Sequence, residues 1–273
     1  PTLAAAVAVW LIATAEPVMA ATAGPILLLW LFSPLVAWWI SRPLRANTAQ
    51  LRAGDVGDLR RFARLTWRYF EVFVGPQENW LPPDNVQGDA QDPGRRVAHR
   101  TSPTDMGMAL LANLTAHDLG YLSAAQLLDR TTRAIESMEH LERYRGHFLN
   151  WYDTHTRKPL LPLYVSSVDS GNLVGHVRVL RSGLLELPDG PVWPTEALAG
   201  LRDTLRGLTD QGGTNETLGS IEALLLFDTE SLSARAAWLR ELAAAAAAMA
   251  ESFERDRRHH PEAAWWASAF DRQ

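Results

Sequence analysis

Tyr144-Arg145-Gly146-His147-Phe148-Leu149-Asn150-Trp151-Tyr152-Asp153 and Tyr164-Val165-Ser166-Ser167-Val168-Asp169-Ser170-Gly171-Asn172 interrupt an otherwise helical pattern. Two shorter segments repeat their character: Asn79-Trp80-Leu81-Pro82-Pro83-Asp84-Asn85 and His99-Arg100-Thr101-Ser102-Pro103-Thr104-Asp105. A scaffold of helices that gathers Trp, Tyr, Asp, Asn and Arg at its connections suits a sugar site. Flat aromatic faces stack on pyranose rings, and fixed amide and carboxylate groups bond the hydroxyls.

Outward from these loops the apolar spacing is three to four residues, the period of an α-helix. Leu59, Phe62, Leu65, Thr66, Tyr69, Phe70 and Phe73 mark a helix from about residue 58. Met106, Leu110, Leu111 and Leu114 point inward from a helix over about 103–118. Leu127, Leu128, Ile135, Met138 and Leu141 mark one over about 123–143, and Leu173, Val177 and Leu180 one that starts near Ser167. Helices are expected over 194–208, 216–227, 230–258 and 261–270, the third carrying the Ala run 243–248. Strong strand alternation is absent, and short extended pieces at 147–152 and 160–165 suit a hairpin. The expectation is an all-α chain, part of an (α/α)6-type helical toroid, with 194–260 as a helical insertion.

The 273 residues carry a net charge of −5 and no cysteine. An acidic balance gives no support for nucleic-acid binding. Without cysteine there are no disulfides, thiolate nucleophiles or thiolate metal sites, as suits a reducing compartment. The eight His residues show no ligand spacing, so no metal site is expected. A phosphate-binding glycine loop, a Gly-x-Ser-x-Gly elbow and a His-Glu-x-x-His motif are all missing.

Residues 3–40 hold one charge, Glu16, in two apolar stretches at about 3–20 and 24–40. The second approaches the ~20 residues that span a bilayer. Trp38 and Trp39, followed by Arg42 and Arg45, place an interfacial belt and a cytoplasmic flank after it. Residues 1–45 are therefore expected to be one or two membrane helices, in contact with lipid, and 46–273 an incomplete helical domain. The chain starts inside an apolar run, without Met, and reads as a fragment.

Each polar segment also has a local explanation. Ser102-Pro103-Thr104-Asp105 is a capping box with Pro at the first helical position. Ser166 to Asp169 repeats a cap with an acid in the first turn. Asp153 suits an Asx turn, and Trp151 suits a core. A Gly171-Asn172 pair inside a helix costs stability, which close approach of a ligand or another helix would justify. The candidate substrate-binding residues are Trp80, Asp84, Arg100, Thr104, Asp105, Trp151, Tyr152, Asp153, Asp169 and Asn172.

Several strings resemble the cyclic β-1,2-glucan synthases. They are Trp38-Trp39-Ile40-Ser41-Arg42-Pro43, Arg100-Thr101-Ser102-Pro103-Thr104, Leu141-Glu142-Arg143-Tyr144-Arg145-Gly146-His147-Phe148 with Asn150-Trp151-Tyr152-Asp153, and Val168-Asp169-Ser170-Gly171-Asn172-Leu173. The resemblance implies a bacterial inner-membrane enzyme with a glycosyltransferase, a central glycoamylase-like domain and a phosphorylase-like domain. Arg42 and Arg45 place residues 41 onward in the cytoplasm. The resemblance implies that the central domain closes a linear β-1,2-glucan chain into a ring by retaining transglycosylation. UDP-glucose serves the upstream transferase, and no cofactor is implied in this region. The catalytic carboxylate pair is expected beyond Gln273, which leaves the fragment alone inactive and its acids as glucan ligands. A β-1,2-glucan hydrolase of the same barrel type and a non-catalytic glucan-binding scaffold are the alternatives. The partners implied are the β-1,2-glucan chain and the other domains of one polypeptide.

Overall fold

The computed structural model describes residues 6–8, 10, 14, 17–42, 51–88, 96–191, 194–212, 216–226 and 232–273. It divides into two compact units, Pro1–Arg52 and Ala53–Gln273. In the first, helix α1 (Pro17–Ile40) holds Pro25 and Pro34 in its interior. Each proline removes a backbone donor from the helix. Leu29, Trp30, Leu35, Trp38, Trp39 and Ile40 are exposed along it. Among the described residues no helix is long and apolar enough to cross a membrane. The expected spans are therefore not found among the described residues. Most of the stretch 3–20, and Arg45, lie outside the described residues.

The second unit is built of α2 (Ala53–Phe73), α3 (Pro103–Asp118), α4 (Ala124–Glu139), α5 (Ser167–Glu186), α6 (Thr195–Asp210), α7 (Glu216–Leu225), α8 (Leu232–Arg255) and α9 (Pro261–Arg272). Among the described residues six two-residue strands lie in its loops: β1 (Val86–Gln87), β2 (Arg96–Val97), β3 (Arg100–Thr101), β4 (Arg143–Tyr144), β5 (His147–Phe148) and β6 (Tyr152–Asp153). They form the antiparallel pairs β1–β2, β3–β6 and β4–β5. The chain is thus mostly helical but not strictly all-α. The expected pairing of 147–152 with 160–165 is present as an antiparallel bridge from Tyr152 to Pro159, extended by Leu160 N to Trp151 O and Asn150 N to Tyr164 O, each 2.9 Å. A further hairpin, β4–β5, precedes it, closed by Arg145 and Gly146 at φ 48° and 85°.

Three apolar clusters organise this unit, the smallest being Trp67, Ala116, Tyr121 and Leu122 between α2, α3 and the turn that follows α3. Leu81, Met106, Leu110, Leu127, Met138, Leu149, Tyr152, Leu173 and Leu180 join α3, α4 and α5 with the loops. Leu201, Leu208, Ile221, Trp238, Met249, Trp266 and Phe270 join α6 to α9. The helix-period reading holds for Met106, Leu110 and Leu114, whereas Leu128, Ile135 and Val177 are exposed.

Helix α2 turns the other way from its apolar spacing. Leu59, Phe62 and Leu65 are exposed, while Arg64 and Trp67 are buried. The inward stripe is Arg60, Arg64 and Arg68, one every four residues. These arginines reach Asp203 at 2.7 Å, Glu71 at 2.7 Å and Glu262 at 2.6 Å. Acids and aromatics on α6 and α9 select that face. The Arg64 guanidinium lies 4.9 Å from the Trp266 ring centroid, and burial lowers its pKa.

Helices α3 and α5 run in the same direction. Thr104 meets Asp169, Gly107 meets His176, and Leu114 meets Gly183. A Cβ on Gly107 would fall 2.4 Å from His176 Nδ1, and one on Gly183 would fall 2.6 Å from a Leu114 methyl. Two glycines therefore set this close packing, and it brings both helix N-termini to one end.

Candidate functional site

Ser102 (φ −109°) caps α3. Its hydroxyl accepts from Asp105 N at 3.2 Å, while the Asp105 carboxylate accepts from Ser102 N at 2.9 Å. Ser166 caps α5 by accepting from Asp169 N at 3.2 Å. The local capping readings of both segments are thus correct. They do not exhaust the acids, because parallel packing carries each first turn against the other.

Thr104 donates to Asp169 at 2.5 Å and accepts from Asn172 at 3.1 Å. The Asn150 amide, oriented to satisfy its neighbours, donates to the second Asp169 oxygen at 3.1 Å. Its own oxygen accepts from the Tyr164 hydroxyl at 2.7 Å and from the Trp151 indole. A polar chain thus runs Trp151–Asn150–Asp169–Thr104–Asn172. Asn172 is exposed at its end, and a Cβ on the neighbouring Gly171 would meet nothing within 4 Å. No second helix therefore explains Gly171; the space over it is open.

Beside this chain, Arg100 donates through Nε and Nη2 to Asp84 at 3.1 and 2.8 Å. Its guanidinium lies 4.7 Å from the Trp151 ring centroid. The β3–β6 ladder pairs Arg100 with Asp153 and Thr101 with Tyr152, which fixes Arg100 next to Trp151. Asp105 joins the same surroundings. Burial pushes its carboxyl up, Ser102 opposes that, and the charges of Asp84 and Asp169 push it up further.

Three predicted residues do other work. Tyr152 is fully buried; its hydroxyl donates to Glu142 O at 2.7 Å and accepts from Leu149 N at 2.6 Å. It is a core residue and offers no face to a ligand. Asp153 closes a turn by accepting from His155 N, Thr156 N and Thr156 Oγ1 at 3.1, 2.7 and 2.8 Å. Burial works against its charge, but those Thr156 bonds hold its carboxyl below the usual range. Trp80 packs under Arg130 and Arg133, whose guanidiniums lie 5.6 and 5.2 Å from its ring centroid, and lines a groove with Glu71, Tyr121, Asp129 and Arg272.

Asn150 and Tyr164 join this hydrogen-bonded chain although neither was among the predicted ligands. Both lie within the quoted polar segments, so the signal was present. Glu78, His99 and His155 also come together, with Glu78 Oε1 2.8 Å from His99 Nδ1 and 3.0 Å from His155 Nε2. Separations of 21 and 56 residues along the chain give no spacing signal for such a group.

The site is thus a polar and aromatic shelf at the paired N-termini of two parallel helices, in a mostly helical protein. The resemblance seen in its loop strings stands. Over 168 residues, 61% of this chain, it is 39% identical to a protein described as the cyclic β-(1,2)-glucan synthase NdvB of Rhizobium meliloti (strain 1021). The chain spans 6% of the length of that relative. A solved structure described as a glucoamylase from Bacteroides fragilis NCTC 9343 superposes with a TM-score of 0.34 at 18% identity, over 66% of this chain and 36% of its own. No family model matches.

Proposed function

We propose that this chain is part of a cyclic β-1,2-glucan synthase and that the shelf formed by Trp151, Asn150, Asp169, Thr104, Asn172 and Arg100 holds a β-1,2-glucan chain during ring closure. The observation that carries the reading is the hydrogen-bonded chain from Trp151 to Asn172 with open space over Gly171. It presents an aromatic face and fixed polar atoms side by side, as sugar hydroxyls and ring faces require. The similarity to a glucan synthase supports the substrate class. Parallel α3 and α5, with α4 between them in the chain, suit two inner helices and one outer helix of a helical toroid.

The reaction in this reading is retaining transglycosylation, with water excluded as acceptor. Retention needs a nucleophile and an acid/base carboxylate about 5–5.5 Å apart. Asp84, Asp105 and Asp169 are engaged by Arg100, Ser102 and Thr104, and Asp153 by its own turn, so in this reading the first three orient substrate and the reacting pair comes from other parts of the enzyme. The exposed apolar side chains of α1 suit contact with a membrane surface.

The test uses an enzyme carrying this chain, supplied with UDP-glucose. Asp169→Asn is expected to lower cyclic glucan about ten- to a hundredfold, since a charged hydrogen bond is worth ~1.5–3 kcal/mol. Linear glucan should accumulate. Unchanged ring formation would remove the proposal.

A hydrolase is the second reading. The raised Asp105 carboxyl favours it, because a general acid needs a carboxyl that holds its proton. Release of short linear glucans with water as acceptor, abolished by Asp105→Asn, is the outcome that selects it.

A further inference from the structure

We infer that Glu78, His99 and His155 form a binding site for one zinc ion, which ties together the three loops that support the glucan shelf.

The three ligand atoms lie within 4.8 Å of one another. Glu78 Oε1 faces both His99 Nδ1 and His155 Nε2. Two imidazoles and one carboxylate are a common zinc donor set, with bonds of about 2.0–2.2 Å and one position left for water. Donor atoms around a tetrahedral centre then stand about 3.4 Å apart. The two observed separations of 2.8 and 3.0 Å need to open by only a few tenths of an ångström. The imidazole rings lie 4.2 Å apart between centroids, tilted by 38°, each with a nitrogen on Glu78. Both are exposed while Glu78 is buried, so an ion can enter from solvent and its open position faces water.

The surroundings are built to hold this geometry. Thr154 is fully buried and donates to the other Glu78 oxygen at 2.5 Å, an outer-shell bond that fixes the carboxylate. Asn79 donates to Thr154 O at 2.7 Å and to His155 O at 2.9 Å, locking the two loops together. Asn79 and Trp80 take positive φ angles of 51° and 60°, a region that suits Asn and is uncommon for a residue as bulky as Trp. His99 immediately precedes Arg100, and His155 follows Asp153 by two residues. An ion here would therefore clamp β3 to β6 beside the shelf. No bond of the glucan reacts at the metal.

The purified protein, stripped with a chelator, is titrated with Zn2+ by calorimetry and with Co2+ by visible absorption. One equivalent of Zn2+ should bind, Co2+ should give a tetrahedral or five-coordinate spectrum, and the melting temperature should rise with metal. Glu78→Gln and the double variant His99→Ala/His155→Ala should each weaken binding at least about tenfold, with helical circular dichroism unchanged. Should the Glu78 variant fail to fold, His99→Gln at an exposed position gives the same comparison. The pair His259 and His260 beside Asp256 is a second place where zinc can collect. Binding lost in His259→Ala/His260→Ala and kept in the His99 and His155 variants would overturn the inference. So would the absence of a Co2+ spectrum at equimolar metal, which would leave Glu78 as a hydrogen-bonded clip between two histidines.

Discussion

Single residues in this protein carry opposite fates for the same chemistry. Arg64 is buried with its charge intact because Glu71 and Thr204 each meet it at 2.7 Å. Arg64→Ala leaves Glu71 and the Thr204 hydroxyl without that partner. It should cost about 3–5 kcal/mol, the usual penalty for breaking a buried pair, measured by urea unfolding. Thr101 is equally buried, yet its hydroxyl has no hydrogen-bond partner among the described residues. Thr101→Val should therefore be neutral or stabilising by up to about 1 kcal/mol in the same assay.

Asp105 gives a pH test at this scale. Its folded pKa is raised, burial being the first cause. The folded state then holds this proton more tightly than the unfolded chain does. The contribution is fully present below the unfolded value, about 3.9, and is lost as pH rises through the higher folded value. Asp105→Asn cannot ionise, so its stability relative to the parent should improve as pH rises from about 3.5 to 6. A flat difference across that range would show that the charge at Asp105 is not strained.

Among the elements, α3 and α5 depend on two glycines. A Cβ at Gly183 meets both methyls of Leu114, at 2.6 and 2.7 Å. Gly183→Ala should cost about 1–3 kcal/mol by overpacking. Leu114→Ala alone leaves a cavity, but the pair should cost less than the sum of the two, because the second change removes the clash of the first. Additive losses would mean the helices separate instead of repacking. The shelf depends on this contact, since Thr104 reaches Asp169 only when the first turns are level. α2 shows how pattern and packing part company. Its apolar period is real, but the face with Leu59 and Phe62 is exposed. Arginine side chains with acids waiting on α6 and α9 claimed the inner face. No rule applied to α2 alone can see those acids.

At the scale of the second unit, the two larger apolar cores are joined through α2, the turn at Gly120 and the small cluster of Trp67, Ala116, Tyr121 and Leu122 between them. Gly120 has φ 82°, and a Cβ there would fall 1.9 Å from Glu196 O. Arg60 and Arg68 reach Asp203 and Glu262 across the junction. Replacing both arginines by Met should weaken this seam more than either core. A single urea transition in the parent should then split into two in the double variant, read by circular dichroism and tryptophan fluorescence. One cooperative transition in both would show that apolar contacts carry the junction.

The chain sequence was enough to place most helices to within a few residues: α3, α5, α6 and α9 have start signals in their own first turns, such as Ser102-Pro103 and Pro261. The polar loop strings were also legible, since residue type alone marks them. Capping is local, and so is the Asx turn at Asp153. The helix faces and the long-range partners of these side chains were not legible. Tyr152 and Trp80 have the composition of sugar ligands, but packing buries one and carries the other into a separate groove. Asn150 reaches Asp169, and Glu78 reaches two distant histidines, only because α3 and α5 run parallel and β3 pairs with β6. Those contacts link residues 19 to 77 positions apart. A period of 3.6 residues constrains neighbours one turn away, whereas pairing across such distances is chosen by the free energy of packing the whole chain.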